Sequence, residues 1–210
     1  MPDFGKLLSL AGNIAIYIAT GVYVIYLAKR KLNEMIANRQ EPISGNFIKG
    51  QSKVDVLINK KMEETKEALN ADAVLVFEFH NGGHWSNGRR ALKASCTYEV
   101  VRYGIKSVSG ELRDIPLSMA PVFINRLLTE NNIKIKNLDQ VDLEMISTTT
   151  LLMQYNVYNA YAQVICNKEK DPVGFVIVVS GKNNHMKLDT KVVDRLCWFI
   201  EENLINSVNK

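Results

Sequence analysis

The chain has 210 residues, 23% of them charged, three cysteines and a formal net charge of +4. Lys6, Lys29, Arg30 and Lys31 against Asp3 put +3 of that charge in the first 31 residues, so the rest is close to neutral and lacks the basic stripe that a nucleic-acid partner needs. Cys96, Cys166 and Cys197 are odd in number and have no metal-motif spacing, as expected of buried thiols in a reducing compartment rather than of a disulfide framework.

The first predicted element is the uncharged run from Leu7 to Ala28, followed at once by Lys29-Arg30-Lys31. About 20 apolar residues span the hydrocarbon core of a bilayer, and a soluble helix of that length would carry a charged face. The length of the run, and the lack of a small-x-small cleavage site before Lys29, favour a retained anchor over a secretory signal peptide. Lys and Arg beside a span stay on the cytoplasmic side, so the reading is a single-pass membrane protein with its C-terminal domain in the cytoplasm. Within the run Ala11, Ala15 and Ala19 recur every four residues beside a polar stripe of Asn13, Tyr17 and Thr20. Small residues let helices approach closely, which points to a homo-oligomer; the alternative is a span in which Ala is merely common and Asn13 sits near the interface.

Leu32 to Arg39 continues as a juxtamembrane helix, and Gln40-Glu41-Pro42-Ile43-Ser44-Gly45-Asn46 breaks it as a linker. The organisation is therefore an anchor with its basic flank over 1–31, a juxtamembrane helix and linker over 32–50, and one folded domain over 51–210, long enough for its own core.

In that domain Val54, Leu57, Ile58, Met62, Thr65 and Leu69 recur at spacings of three and four, predicting an amphipathic helix over 53–69. Residues 73–80 are rich in β-branched and aromatic side chains and read as a strand, which Asn81-Gly82-Gly83 ends in a turn. A second strand over 92–101 follows, then a linker through Gly110 and Pro116. A helix over 119–129 comes next, with Val122, Phe123, Ile124, Leu127 and Leu128 on its apolar face, then a short strand over 133–138 and a helix over 144–154. Residues 159–167 and 173–180 make a hairpin around the charged loop 168–172. Its second strand is continuously apolar, hence central and covered on both sides. Asp189 is a good N-cap for a last helix that buries Val192, Val193, Leu196, Trp198, Phe199, Ile200 and Leu204.

This order is α/β (α+β): helix, two strands, helix, strand, helix, two strands, helix. With the hairpin phrases Tyr161-Ala162-Gln163-Val164-Ile165-Cys166 and Pro172-Val173-Gly174-Phe175-Val176-Ile177-Val178, the region from Gln51 to Asn206 resembles a GAF domain, the sensor fold related to PAS. The resemblance implies an antiparallel sheet with terminal helices on one face and ligand-covering helices on the other, preceded here by the transmembrane helix. It also implies dimerisation through the first and last helices. The Asn-Lys-x-x-Phe-x-x-x-Asp-Glu motif of cyclic-nucleotide GAF domains is absent, so cyclic nucleotide is not implied. The phrase Phe79-His80-Asn81-Gly82 also resembles that of membrane-anchored GAF-like proteins of tailed bacteriophages.

The chemically densest segment runs from Glu78 to Arg90. His80 and His84 are four apart, but the glycine turn between them removes the helical geometry that converges two imidazoles on zinc, so no metal site is expected. The candidate ligand site is the rim formed by His80, Asn81, Gly82, Gly83, His84, Trp85, Arg89 and Arg90: free amides at the glycines, a donor pair in the arginines and a stacking surface in Trp85, suited to a planar or anionic ligand. The plainer alternative is a β-hairpin with a glycine-rich turn and two solvated arginines. No catalytic residue or cofactor is assigned: no cysteine is marked as a low-pKa thiolate, a Cys96–His80 pair lacks an orienting third group, and Thr148-Thr149-Thr150 has no nucleophile-elbow or phosphate-loop context.

The sequence therefore predicts a non-enzymatic, membrane-anchored sensor or interaction module that binds a small ligand or a protein partner. With no output module before Lys210, its signal is expected to pass to a separate protein. The alternative is a non-catalytic scaffold docking partners at a membrane, of a kind a bacteriophage would encode.

Overall fold

Period-two alternation along the strands builds one six-stranded antiparallel sheet and assigns its two faces. The computed structural model describes residues 20–32, 45–84, 90–138 and 145–205. The chain divides into two compact units, Met1–Lys49 and Gly50–Lys210. In the first, residues 20–32 form a helix, α1, on which Val22, Tyr23, Val24, Ile25 and Tyr26 are exposed. Among the described residues no helix is long and apolar enough to cross a membrane; residues 7–19 of the apolar run, and 33–44 of the juxtamembrane stretch, lie outside them.

The second unit holds most of α2 (Gly45–Leu69) and then β1 (Ala73–His84), β2 (Arg90–Val101), β3 (Ile115–Pro116), α3 (Pro121–Glu130), β4 (Asn132–Ile135), α4 (Ile146–Gln154), β5 (Asn159–Cys166), β6 (Pro172–Ser180) and α5 (Thr190–Ile200). A π-helical turn, Glu201–Ile205, extends α5. The sheet order is β3-β2-β1-β6-β5-β4, and every pairing is antiparallel. As its unbroken apolar run predicts, β6 is central, between β1 and β5, and buried on both faces from Gly174 to Ser180.

One face carries the terminal helices. Val74, Val76, Val176 and Val178 pack there against Ile58 and Met62 of α2 and Val193, Leu196 and Ile200 of α5. The opposite face sets Leu75, Phe77, Ile177 and Val179 against Phe123 and Leu127 of α3 and Leu152 of α4. Asp189 caps α5 by accepting from Lys191 N–H at 3.0 Å, while α3 begins with Pro121 and ends at Asn131 in the left-handed region at φ +64°.

Several expectations need correction. Gly45 and Asn46, read as linker, already belong to α2. Asn81-Gly82-Gly83 does not end the first strand: β1 runs on to His84 across an irregularity in its pairing with β2, because Gly83 at φ +95° absorbs the extra residue that would otherwise stop the ladder. The segment read as a plain linker contains β3, which pairs Ile115 with Ala94 and Pro116 with Lys93. The strand expected over 133–138 stops at Ile135. Leu57 and Trp198, both assigned to buried helical faces, are exposed, since the stripes of α2 and α5 that meet the sheet run through Ile58, Met62, Val193, Leu196 and Ile200 instead.

Candidate functional site

The expected rim residues sit toward one end of the β1–β2 hairpin. His80 Nε2 lies 2.9 Å from Ser95 Oγ on the neighbouring strand, and that hydroxyl also accepts from Asp114 N–H at 2.8 Å. Asp114 in turn pairs with Lys93 Nζ at 3.3 Å and stands 3.9 Å from His80 Nε2. The histidine is thus held in a side-chain cluster on β1, β2 and the residue before β3. Because both Ser95 and Asp114 approach the same nitrogen, Nε2, the arrangement is not the relay of a hydrolase, which needs the carboxylate on the other ring nitrogen. Cys96, the imagined partner of His80, instead sits opposite Phe77 in the ladder and donates from Sγ to the Tyr98 carbonyl at 3.3 Å.

Asn81, Gly82, Gly83 and Arg90 are exposed. Gly82 has a structural reason to be glycine, for a Cβ there would lie 2.7 Å from the Ala91 carbonyl oxygen. Trp85 and Arg89 lie outside the described residues, as does the side chain of His84.

A large cavity lies elsewhere. It occupies about 1060 Å³ between the sheet and its α3/α4 cover, at the upper end of the range for small-molecule sites. Alternation places Leu75 and Phe77 of β1 and Phe175, Ile177 and Val179 of β6 on its floor, so the residues that build this core also line the space. Phe123 and Ile124 of α3, Leu152 of α4 and the segment from Gly104 to Leu117 close it from the other side. At one end Phe77 and Phe175 stack with centroids 4.7 Å apart, and Phe123 meets Phe175 edge-on at 6.0 Å. His80, Asn81, Gly82, Gly83 and Arg90 are not among its lining residues, and neither is any of the three cysteines.

The described charged groups at the cavity edge are satisfied within the protein. Glu99 accepts from Ser107 Oγ, from Val108 N–H at 2.8 Å and from Ser109 N–H at 3.1 Å. Burial opposes its ionisation, but these hydrogen bonds outweigh it and hold the carboxyl below its ordinary range. Lys106 and Glu111 pair at 2.5 Å, which lowers the Glu111 carboxyl and raises the Lys106 ammonium. Asp72 meets Arg102 Nε at 3.2 Å and accepts from Gly181 N–H at 2.8 Å and Asn184 Nδ2 at 2.7 Å. Lys182 stands over the Tyr158 ring, 5.5 Å from its centroid.

Nothing here is poised for nucleophilic chemistry through sulfur. Burial pushes the Cys96 thiol up to about 12, and likewise raises Cys166 and Cys197 above the usual thiol range. Among the described residues no group of three or more His, Cys, Asp or Glu side chains is placed to hold a metal ion. A second space of about 590 Å³ lies on the α2/α5 face, where Tyr98 donates to Asp55 Oδ1 at 2.6 Å.

Sequence reasoning missed the cavity because a lining residue looks like a core residue: Leu75, Phe77 and Ile177 obey the same alternation whether a side chain or a void faces them. One signal was on the page. Thr148 lines the cavity from α4, and the threonine run it opens is unusual on a helix otherwise so apolar.

No protein-family model and no curated protein match the sequence. Solved structures do match the fold. A far-red cyanobacteriochrome photoreceptor is 12% identical, covering 88% of this chain and 98% of its own at a TM-score of 0.55. The blue-light absorbing form of the Thermosynechococcus elongatus PixJ GAF domain is 12% identical, covering 73% of this chain and 84% of its own at a TM-score of 0.53. The phycocyanobilin-bound GAF domain of a cyanobacterial phytochrome is 13% identical, covering 85% of this chain and 90% of its own at a TM-score of 0.52. At such identities the likeness speaks for architecture alone, and with the element order, the antiparallel sheet and its two helical covers it shows that this chain has a GAF-like fold.

Proposed function

We propose that the protein is a ligand-binding sensor module in which a small molecule occupies the cavity between the sheet and α3/α4. The observation that carries this reading is the cavity itself: about 1060 Å³ of space between the sheet and its α3/α4 cover, against about 590 Å³ on the opposite face. A folded domain gains dispersion energy and apolar burial by filling such a space, so leaving it open costs stability unless a ligand returns that energy. Solved structures of the same fold include a phycocyanobilin-bound domain and a photoreceptor, which supports a binding role for the fold without supplying the ligand.

The remaining parts of the proposal rest on sequence. The apolar run from Leu7 to Ala28 anchors the chain in a membrane, with the basic residues 29–31 holding the domain on the cytoplasmic side. Ligand binding acts by changing how the domain packs with a second copy or presents itself to a protein partner. The module catalyses no reaction of its own.

Native mass spectrometry of the full chain purified without added ligand tests the central claim. The expected result is a reproducible extra mass that disappears in Ile124→Trp, a substitution that fills the cavity from α3, while circular dichroism shows the variant folded. A clean apo mass for the wild type would remove the reading and leave the docking scaffold in its place.

A further inference from the structure

Thr148 differs from three other helical threonines. Thr65 donates its hydroxyl to Lys61 O at 2.9 Å, Thr129 to Asn125 O at 2.8 Å and Thr149 to Met145 O at 3.1 Å, each the carbonyl four residues earlier on its own helix. Thr148 is only 5% exposed, and its hydroxyl has no hydrogen-bond partner among the described residues, which do not include Glu144 four residues earlier. It lines the cavity, as do the apolar Leu152 and Ile124. An unmet hydroxyl in apolar surroundings forgoes a hydrogen bond that water would have given it, and native cores rarely leave one without cause.

The charges at the cavity edge carry a second, independent restriction. Glu99 is occupied by the backbone of residues 108 and 109, Asp72 by Arg102, Gly181 and Asn184, and Lys106 by Glu111. Lys182 lies over Tyr158. None of these is an uncompensated charge waiting for its opposite, so among the described residues an ionised ligand would find no counter-ion to offset the hydration it loses.

We infer that the ligand of this cavity is an uncharged, largely apolar molecule that presents one hydrogen-bond acceptor, a carbonyl or ether oxygen, to the Thr148 hydroxyl. The inference rests on the cavity being the binding site, as proposed above. It assigns Thr148 the choice of ligand polarity and leaves shape to Leu75, Phe77, Leu152 and Ile177. No thiol lines the space, so capture is non-covalent.

Three probes of nearly equal size separate these features: 2-acetylnaphthalene, with a carbonyl; 2-ethylnaphthalene, without one; and 2-naphthoate, which is anionic. Each is titrated into the full chain and followed through the methyl resonances of Leu75, Leu152 and Ile177. The ketone is expected to bind tightest and the carboxylate weakest. Thr148→Val, which keeps the shape and removes the hydroxyl, should weaken the ketone about fivefold, the weight of one neutral hydrogen bond, and leave the hydrocarbon unchanged, while Thr148→Ser keeps the ketone's advantage. A ketone that binds wild type and Thr148→Val equally, or a carboxylate that binds best, would overturn the inference while leaving the cavity as a site. Methyl resonances that none of the probes shifts would overturn the proposed site itself.

Discussion

Gly174 is the position at which one added methyl group should do most damage. It lies on the central strand β6, opposite Glu78 of β1 and Ile165 of β5. A Cβ built there would stand 2.1 Å from the Phe77 carbonyl oxygen and 3.2 Å from both the Phe77 carbonyl carbon and the Glu78 Cα. All three are backbone atoms, so no rotamer change relieves the clash, and opening the contact to ordinary van der Waals distance requires β1 and β6 to part by roughly 1 Å or more. Gly→Ala usually stabilises by about 0.4–1 kcal/mol through the unfolded chain where the native conformation allows it. Against that stands overpacking of about 1–3 kcal/mol or more, and here the strain also falls on the adjoining Phe77–Phe175 stack. The net for Gly174→Ala is a loss of about 2 kcal/mol, which for a domain of this size lowers Tm by roughly 4–8 °C. Thermal unfolding followed by circular dichroism measures it. Gly110→Ala, where an added Cβ meets nothing within 4 Å, serves as the control and should leave Tm within about 2 °C of wild type. A Gly174→Ala variant as stable as that control would refute the argument that close strand approach fixes glycine at this site.

Glu99 supplies a pH signature. Its folded carboxyl lies below the ordinary glutamate value of 4.5, so its contribution is present above that value and is lost as the pH falls through the folded pKa; Glu99→Gln should therefore flatten the acid limb of a Tm-against-pH profile below about pH 4.5, and an unchanged slope would contradict it. Replacing Arg89 and Arg90 together by Ala decides between the rim expected from sequence and the cavity: retention of the bound mass in native mass spectrometry locates the ligand in the cavity, and its loss restores the rim. Leu196→Ala, at a fully buried site on the α2/α5 face, should cost about 4 kcal/mol, while Leu152→Ala beside the cavity should cost about 2 kcal/mol, both measured by chemical denaturation; equal losses would mean that the two faces are packed alike.

Periodicity made most of the fold legible. The apolar alternation of β1 and β6, and the three-four spacing of α2 and α5, are driven by burial against the sheet, and burial is what a sequence pattern records. The Asp189 cap was legible for the same kind of reason, since one short side chain satisfies one helix-end N–H. What escaped was decided by longer-range geometry. Ile115–Pro116 is too short to show a period and becomes a strand only because β2 offers it an edge. Gly82 and Gly83 look like turn residues, yet the pairing of β1 with β2 extends through them, and no local rule distinguishes a bulge from a reversal there. Trp198 failed because a helix of this length has apolar residues beyond the stripe that the sheet can cover. The candidate site was the least legible part. Conspicuous residue types drew attention to the segment from His80 to Arg90, whereas the floor of the cavity is made of ordinary Leu, Ile, Val and Phe.

The two faces of the sheet divide the work, and the division explains how a domain this size tolerates so large a space. On the α2/α5 side Ile58, Met62, Val74, Val76, Val176, Val178, Val193, Leu196 and Ile200 all fall to zero exposure, so that face forms a core that joins the first and last helices of the domain across the central strands. Each of these side chains brings roughly 1.5–3 kcal/mol of apolar burial, enough in total to offset the contacts forgone around the cavity. The α3/α4 side then has less to hold together. Its cover is built from the short helices α3 and α4, a two-residue strand and the segment over 104–117 that Glu99 ties down, rather than from a second pair of long helices. Elements secured by few contacts open at low free energy, which is what entry of an apolar ligand requires. The ligand would in turn supply the missing burial and tighten the cover. On this account binding changes the order of residues 104–117 and of α4 more than that of α2 or α5, and hydrogen exchange should slow at the first two on adding 2-acetylnaphthalene while the terminal helices stay as they were. Protection gained equally on both faces would mean that the sheet does not insulate one core from the other.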